Sequence, residues 1–174
     1  MIRGLLLQVL LLALLSGCAG LREARQERLE IEGEAEAEAR VLSELPAGEA
    51  LRRIAADRDA RTGAKELRLL SNHGDLRVRQ EALRALGLLG DPDSLGVLEG
   101  RLLDPEPAVR AAAAFAVGQV GAWTLTGLER ATVEGHAEEA LLAALEAELG
   151  RGGLLDPALA MVRALGELGG GPSE

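Results

Sequence analysis

Asp75-Leu-Arg-Val-Arg-Gln-Glu-Ala-Leu-Arg-Ala-Leu-Gly-Leu-Leu-Gly90 returns as Glu106-Pro-Ala-Val-Arg-Ala-Ala-Ala-Ala-Phe-Ala-Val-Gly-Gln-Val-Gly121. The two stretches stay 31 residues apart throughout, with Val78/Val109, Arg79/Arg110, Ala82/Ala113, Ala85/Ala116, Gly87/Gly118 and Gly90/Gly121 identical. A weaker third copy ends Val162-Arg-Ala-Leu-Gly-Glu-Leu-Gly169, 48 residues beyond the second, so part of a repeat is inserted between them. In the second copy Val109, Ala113, Ala116, Val117 and Val120 share one helix face. A repeat of this length without strand signals marks an α-solenoid, in which each unit buries its apolar face only against its neighbours.

Working outward, each copy reads as the second helix of a pair. Ala64 to Asn72 precedes the first and Ser94 to Leu103 the second. The third pair reads as Ala137 to Leu149 with Pro157 to Leu168. Glycine at the end of each copy suits a helix C-terminus, and Asp104-Pro105 breaks the chain between paired helices. Leu51 to Arg61 is expected to cap the array at its N-terminal end, while residues 122–135 fit no repeat position and read as a loop or a short extra helix. The expected fold is all-α, a short α-solenoid of about three helix pairs.

The wording Asp-x-x-Val-Arg followed by Ala-Leu-Gly-x-x-Gly resembles HEAT repeats, in particular the HEAT-like class named after phycobilisome lyases. The likeness is close over residues 64–121 and looser over 137–169. It implies that Arg79 and Arg110, with Asp75 and Glu106 four residues earlier, form a repeat-to-repeat salt-bridge ladder rather than a ligand site. A bilin-lyase activity would rest on the repeat name alone, since no chromophore-handling residue accompanies it.

The N-terminus tells a separate story. Met-Ile-Arg-Gly precedes an apolar run from Leu5 to Leu15, interrupted only by Gln8. As a helix it would cover roughly half a bilayer core, too short to span and suited to a signal-peptide h-region. Leu15-Ser16-Gly17-Cys18 follows, and this resembles the lipobox of bacterial lipoproteins. The resemblance implies cleavage between Gly17 and Cys18, diacylglycerol on the Cys18 sulfur and a further acyl chain such as palmitate on the new amino group. It also places the protein in the bacterial cell envelope. Ala19 after the cysteine favours the outer over the inner membrane. From Leu21 to Leu45 the chain is rich in Ala, Glu and Arg, strong helix formers with opposite charges at helical spacing. Its apolar positions are too sparse for a coiled-coil seam. This segment reads as a solvated, acidic helical spacer frayed around Gly33 and ended by Pro46-Ala-Gly48. The expected organisation is residues 1–17 signal peptide, 18–47 lipidated cysteine and spacer, 48–169 repeat domain and 170–174 flexible tail.

Composition narrows the function. In 174 residues there are one Cys, two His, one Phe, one Trp and no Tyr. One Cys excludes an intrachain disulfide and a Cys-rich zinc site, and His73 and His136 lie too far apart in sequence for a multi-His motif. Both histidines read as solvent-facing helix-end residues. A formal charge of −9 argues against nucleic acid as main partner. The charge is uneven, with nine basic and five acidic residues over Arg52–Arg84 but five basic and fourteen acidic from Ala85 onward. No nucleophile elbow, phosphate loop or paired-His helix occurs. Neither catalysis, a cofactor nor a metal is expected.

The expected role is a membrane-anchored protein-binding scaffold. If the second helix of each pair lines the inner side, the face opposite its buried stripe carries Glu81, Arg84 and Leu88, then Ala112, Phe115 and Gln119, then Ala160, Arg163 and Glu167. Phe115 either belongs to that strip or packs between helices, and Trp123 carries the same two readings. An alternative is a reduced or truncated relative of HEAT-like lipoproteins whose repeats precede a cyclophilin-type prolyl isomerase domain. Phe115-Ala-Val-Gly-Gln-Val-Gly121 followed by Trp123 is similar to that repeat section, while the present chain closes with Gly169-Gly-Gly-Pro-Ser-Glu174.

Overall fold

The computed structural model describes residues 24–123, 128–152 and 155–169, all helix, turn and connecting bend. The signal segment, Gly17, Cys18 and the tail 170–174 lie outside the described residues. Two units separate, residues 1–41 and a body from Leu42 onward. In the first, helix α1 begins at residue 24 and runs unbroken through Gly33. The expected fraying at Gly33 is absent, because strong helix formers on both sides carry the single glycine. Leu29 and Ile31 are exposed, and Arg28 pairs with Glu32 one turn on at 2.9 Å.

The body contains α2 (Ala47–Ala60), α3 (Ala64–Leu70), α4 (Leu76–Leu89), a 3-10 turn (Pro92–Ser94), α5 (Leu95–Arg101), α6 (Pro107–Trp123), α7 (Leu128–Gly150) and α8 (Leu155–Gly169). Helices α3/α4, α5/α6 and α7/α8 form the expected three pairs, and α4, α6 and α8 pack side by side in one row. Helix α2 packs on the free flank of α4. The described residues form the all-α solenoid that the repeat implied.

Local chemistry sets the breaks. The Asp75 carboxylate accepts from the Arg77 and Val78 N–H groups, capping α4, and Gly90 closes it in the left-handed region at φ 67°. Asp104 receives the Glu106 N–H at 3.0 Å just before Pro107 opens α6. Gly121 departs from its expected role: it lies inside α6, buried, rather than ending it. A Cβ there would meet the tip of the Leu168 side chain of α8, so α6 and α8 approach closely at this position. Among the described residues, 122–135 form no separate helix. They extend α6 to Trp123 and begin α7 at Leu128, with 124–127 and the Trp123 side chain outside the described residues.

The core is built from Leu, Ala and Val. Leu67, Leu70, Leu83, Leu86, Leu98, Leu102 and Leu141 are completely buried, each contributing roughly 1.5–3 kcal/mol relative to exposure. In α6 the predicted face (Val109, Ala113, Ala116, Val117, Val120) is fully buried, and Ala112 and Ala114 join it because α4 and α8 flank this helix. Leu42 and Ile54 complete the core at the N-terminal end.

Two glycines set the spacing of the row. A Cβ at Gly87 would lie 2.8 Å from the Ala116 Cα, and one at Gly118 would lie 3.0 Å from the Ala164 Cα. Repeat-equivalent glycines thus bring α4 onto α6 and α6 onto α8 by the same close approach.

Candidate protein-binding surface

The polar framework that holds the repeats comes first, because it removes several residues from consideration as ligands. Arg79 donates to the His73 and Gly74 carbonyls at 3.0 Å, and Arg110 donates to the equivalent Asp104 and Pro105 carbonyls at 2.9 and 3.0 Å. Each guanidinium thereby ties down the loop before its own helix. Each also faces an acid of the following unit. Arg79 Nε stands 3.5 Å from Asp104, and Arg110 makes two bonds of 2.8 Å to Glu148 on α7. Hydrogen bonds from Arg110, reinforced by Arg151, hold the Glu148 carboxyl below the usual carboxylate range against the opposing effect of burial. The ladder joins repeats to one another, while Asp75 serves as a helix cap.

His73 is buried, not solvent-facing. Its Nε2 donates to the Leu45 carbonyl at 2.9 Å, and its Nδ1 accepts the Asp75 N–H at 3.0 Å, which fixes the tautomer. It occupies the position of Asp104 one repeat earlier, and both side chains receive the N–H two residues on. His136 is exposed, yet lies within α7 rather than at its start. It borders an open groove of about 370 Å³ with Glu99, Glu139 and Ala140. Burial pushes the Glu99 carboxyl up, opposed by His136. Among the described residues no three His, Cys, Asp or Glu side chains converge to hold a metal.

The strip along the α4–α6–α8 row remains. Phe115, in the middle of α6, is 36% exposed and borders two depressions. The larger, about 410 Å³, runs between α4 and α6 to the start of α8, with Gln80, Arg84, Ala108, Ala111, Ala112 and Asp156 around it. The smaller, about 70 Å³, lies between Phe115 and the α8 residues Ala160, Arg163, Ala164 and Glu167. Arg84 is exposed and bonds Glu81 at 2.8 Å, Leu88 is 48% exposed, and Gln119 donates to Glu167 at 3.1 Å. Ala112 is the exception within the strip, buried against its neighbours. Phe115 therefore stands between two depressions, one bordered by Arg84 and the other by Arg163 and Glu167. Asp156 was missed by sequence reasoning, since only the fold carries the first turn of α8 to the α4–α6 groove.

Stacked helix pairs, an Arg ladder between them and a row formed by the second helix of each pair define a short α-solenoid. The HEAT-repeat family model matches residues 47–118 and again 64–147, together more than half of the chain. The chain belongs to the HEAT-repeat family. Comparison with curated proteins finds no match. Among the described residues no helix is long and apolar enough to cross a membrane.

Proposed function

We propose that this chain is a bacterial lipoprotein, anchored through Cys18, whose HEAT-repeat body binds another protein along the inner-helix row. The observation that carries the binding role is Phe115, partly exposed at the centre of the row between two depressions, one bordered by Arg84 and the other by Arg163. Aromatic residues and arginine are enriched at protein–protein interfaces relative to the rest of the surface. HEAT repeats commonly serve as interaction scaffolds, and no catalytic constellation was found in the sequence, so the role is placement rather than chemistry. Combining Arg84→Glu with Phe115→Ala is expected to abolish partner pull-down while leaving the melting temperature unchanged. A drop in melting temperature instead returns Phe115 to helix packing.

The anchor rests on the basic start, the apolar run and Leu15-Ser16-Gly17-Cys18. Two or three acyl chains, at about 0.8 kcal/mol per buried methylene, hold a protein on a membrane where one does not. Ala19 favours the outer membrane, and the acidic spacer sets the reach of the body. Cys18→Ser is expected to release the protein from the membrane fraction. Retention after salt and carbonate washing contradicts the lipid anchor.

A further inference from the structure

The middle helix of the row carries small side chains where α4 carries large ones. Ala108, Ala111 and Ala112 of α6 stand in register with Arg77, Gln80 and Glu81 of α4, and Asp156 of α8 is the register partner of Ala108. The groove of about 410 Å³ is lined by those three alanines, with Phe115 one turn beyond Ala111. Its size falls among ligand-sized sites, about 300–1,000 Å³, whereas the depression beside Arg163, about 70 Å³, falls well below them. Of the polar side chains bordering the groove, Gln80 already donates to the Ala108 carbonyl at 3.2 Å and Arg84 to Glu81 at 2.8 Å. Asp156 is exposed at the start of α8 and has no hydrogen-bond or ion-pair partner among the described residues.

We infer that this groove receives an arginine side chain presented on the surface of the partner protein, an inference that rests on the binding role proposed for the row and names the partner's chemistry. The unpartnered Asp156 carboxylate calls for a cation. The alanine lining and the Phe115 ring call for an apolar stem to carry it. Arginine meets both demands, because its methylenes cover apolar surface while its charged head reaches a carboxylate. Its planar guanidinium also pairs with a carboxylate through two hydrogen bonds and stacks on an aromatic face, which favours it over the compact ammonium of lysine. An acidic side chain would meet Asp156 with like charge, and an aliphatic one would cover the carboxylate without pairing it. The wider charge has the same sign. From Ala85 onward the chain holds five basic and fourteen acidic residues, a field that draws a cationic partner.

The test uses the full chain, isotope-labelled in mild detergent, titrated with the blocked dipeptide N-acetyl-Arg-Leu-amide and its lysine and glutamine analogues. The arginine dipeptide is expected to shift the backbone amides of Ala111, Ala112, Phe115 and Asp156 in NMR spectra. The glutamine analogue is expected to bind about tenfold more weakly, the scale of one hydrogen bond between charged groups, and the lysine analogue to fall between the two. Asp156→Asn is expected to remove the preference for arginine, whereas Glu138→Gln, at an exposed acid of α7, leaves it unchanged. Circular dichroism checks that Asp156→Asn stays folded, and Ala111→Leu, which fills the groove from α6, replaces it if not. No binding, equal binding of the arginine and glutamine dipeptides, or a preference that survives the variant overturns the inference. In the cell, Asp156→Lys is expected to abolish the adduct formed by an aromatic photo-cross-linking residue at Phe115. An adduct that persists in Asp156→Lys leaves the binding surface standing and overturns the arginine partner alone. A wild type that gives no adduct at Phe115 overturns both, since no partner then reaches the groove.

Discussion

At the α4–α6 junction Asp104 sits 3.5 Å from both Arg79 and Arg101, and the Nε of each arginine is buried without a hydrogen-bond partner. Beyond α6 the equivalent Arg110 makes two bonds of 2.8 Å to Glu148, which is 1% exposed and also receives Arg151 at 3.0 Å. The steric part of the two junctions is the same, a glycine set against an alanine backbone. The electrostatic part is rebuilt. In the first junction the acid comes from the loop motif, whereas in the second it comes from α7, within the stretch where the sequence spacing widens to 48 residues. Close packing therefore fixes the repeat, and the charges adapt to whatever the next unit supplies.

The largest expected effect separates the two arginines. Arg110→Ala leaves Glu148 as a buried charge without its bidentate partner and is expected to cost about 3–5 kcal/mol in denaturant unfolding. Arg79→Ala breaks a longer contact and is expected to cost about 1.5–3 kcal/mol, in the range of hydrogen bonds to charged groups. Equal losses would erase the distinction. Next come the glycines: Gly87→Ala and Gly118→Ala are each expected to destabilise by roughly 1–3 kcal/mol, because α6 or α8 must shift. Gly135→Ala, exposed within α7 with open space around it, is expected to stabilise by about 0.5–1 kcal/mol. A neutral Gly87→Ala would show that close approach does not set the spacing.

The subtlest contrast is in acid. Glu148 has its carboxyl lowered chiefly by the Arg110 hydrogen bonds, so its stabilisation is complete above the unfolded value and is lost as pH falls through the lowered folded value. Melting temperature against pH is expected to fall more steeply below pH about 4.5 in the wild type than in Glu148→Gln. Parallel curves would mean that the pair contributes no pH-dependent stability.

Much of this architecture can be read from the residues. The 31-residue register located α4 and α6, and the i, i+4, i+7 pattern from Val109 named the face that is buried. What escaped was information that passes between units. Gly121 looked like a helix end because glycine serves both as a left-handed cap and as a site of close approach, and only Leu168 of another helix decides between them. His73 looked exposed because its partner, the Leu45 carbonyl, belongs to the connection before α2. The pairing of Arg110 with Glu148 had no local signal, since the two stand 38 residues apart. Within the candidate surface, Arg84, Phe115 and Arg163 followed from helical spacing alone, whereas Asp156 needed the fold.

The central claim is that the inner-helix row, at Phe115, is where a partner protein binds. A photo-cross-linking residue placed at Phe115, and separately at Leu103, which is 64% exposed on the α5–α6 connection, tests it in the native cell. The account predicts an adduct of one discrete mass from position 115, none from 103, and loss of the adduct when Arg84→Glu is added. The same adducts from both positions, or none from position 115, would contradict it.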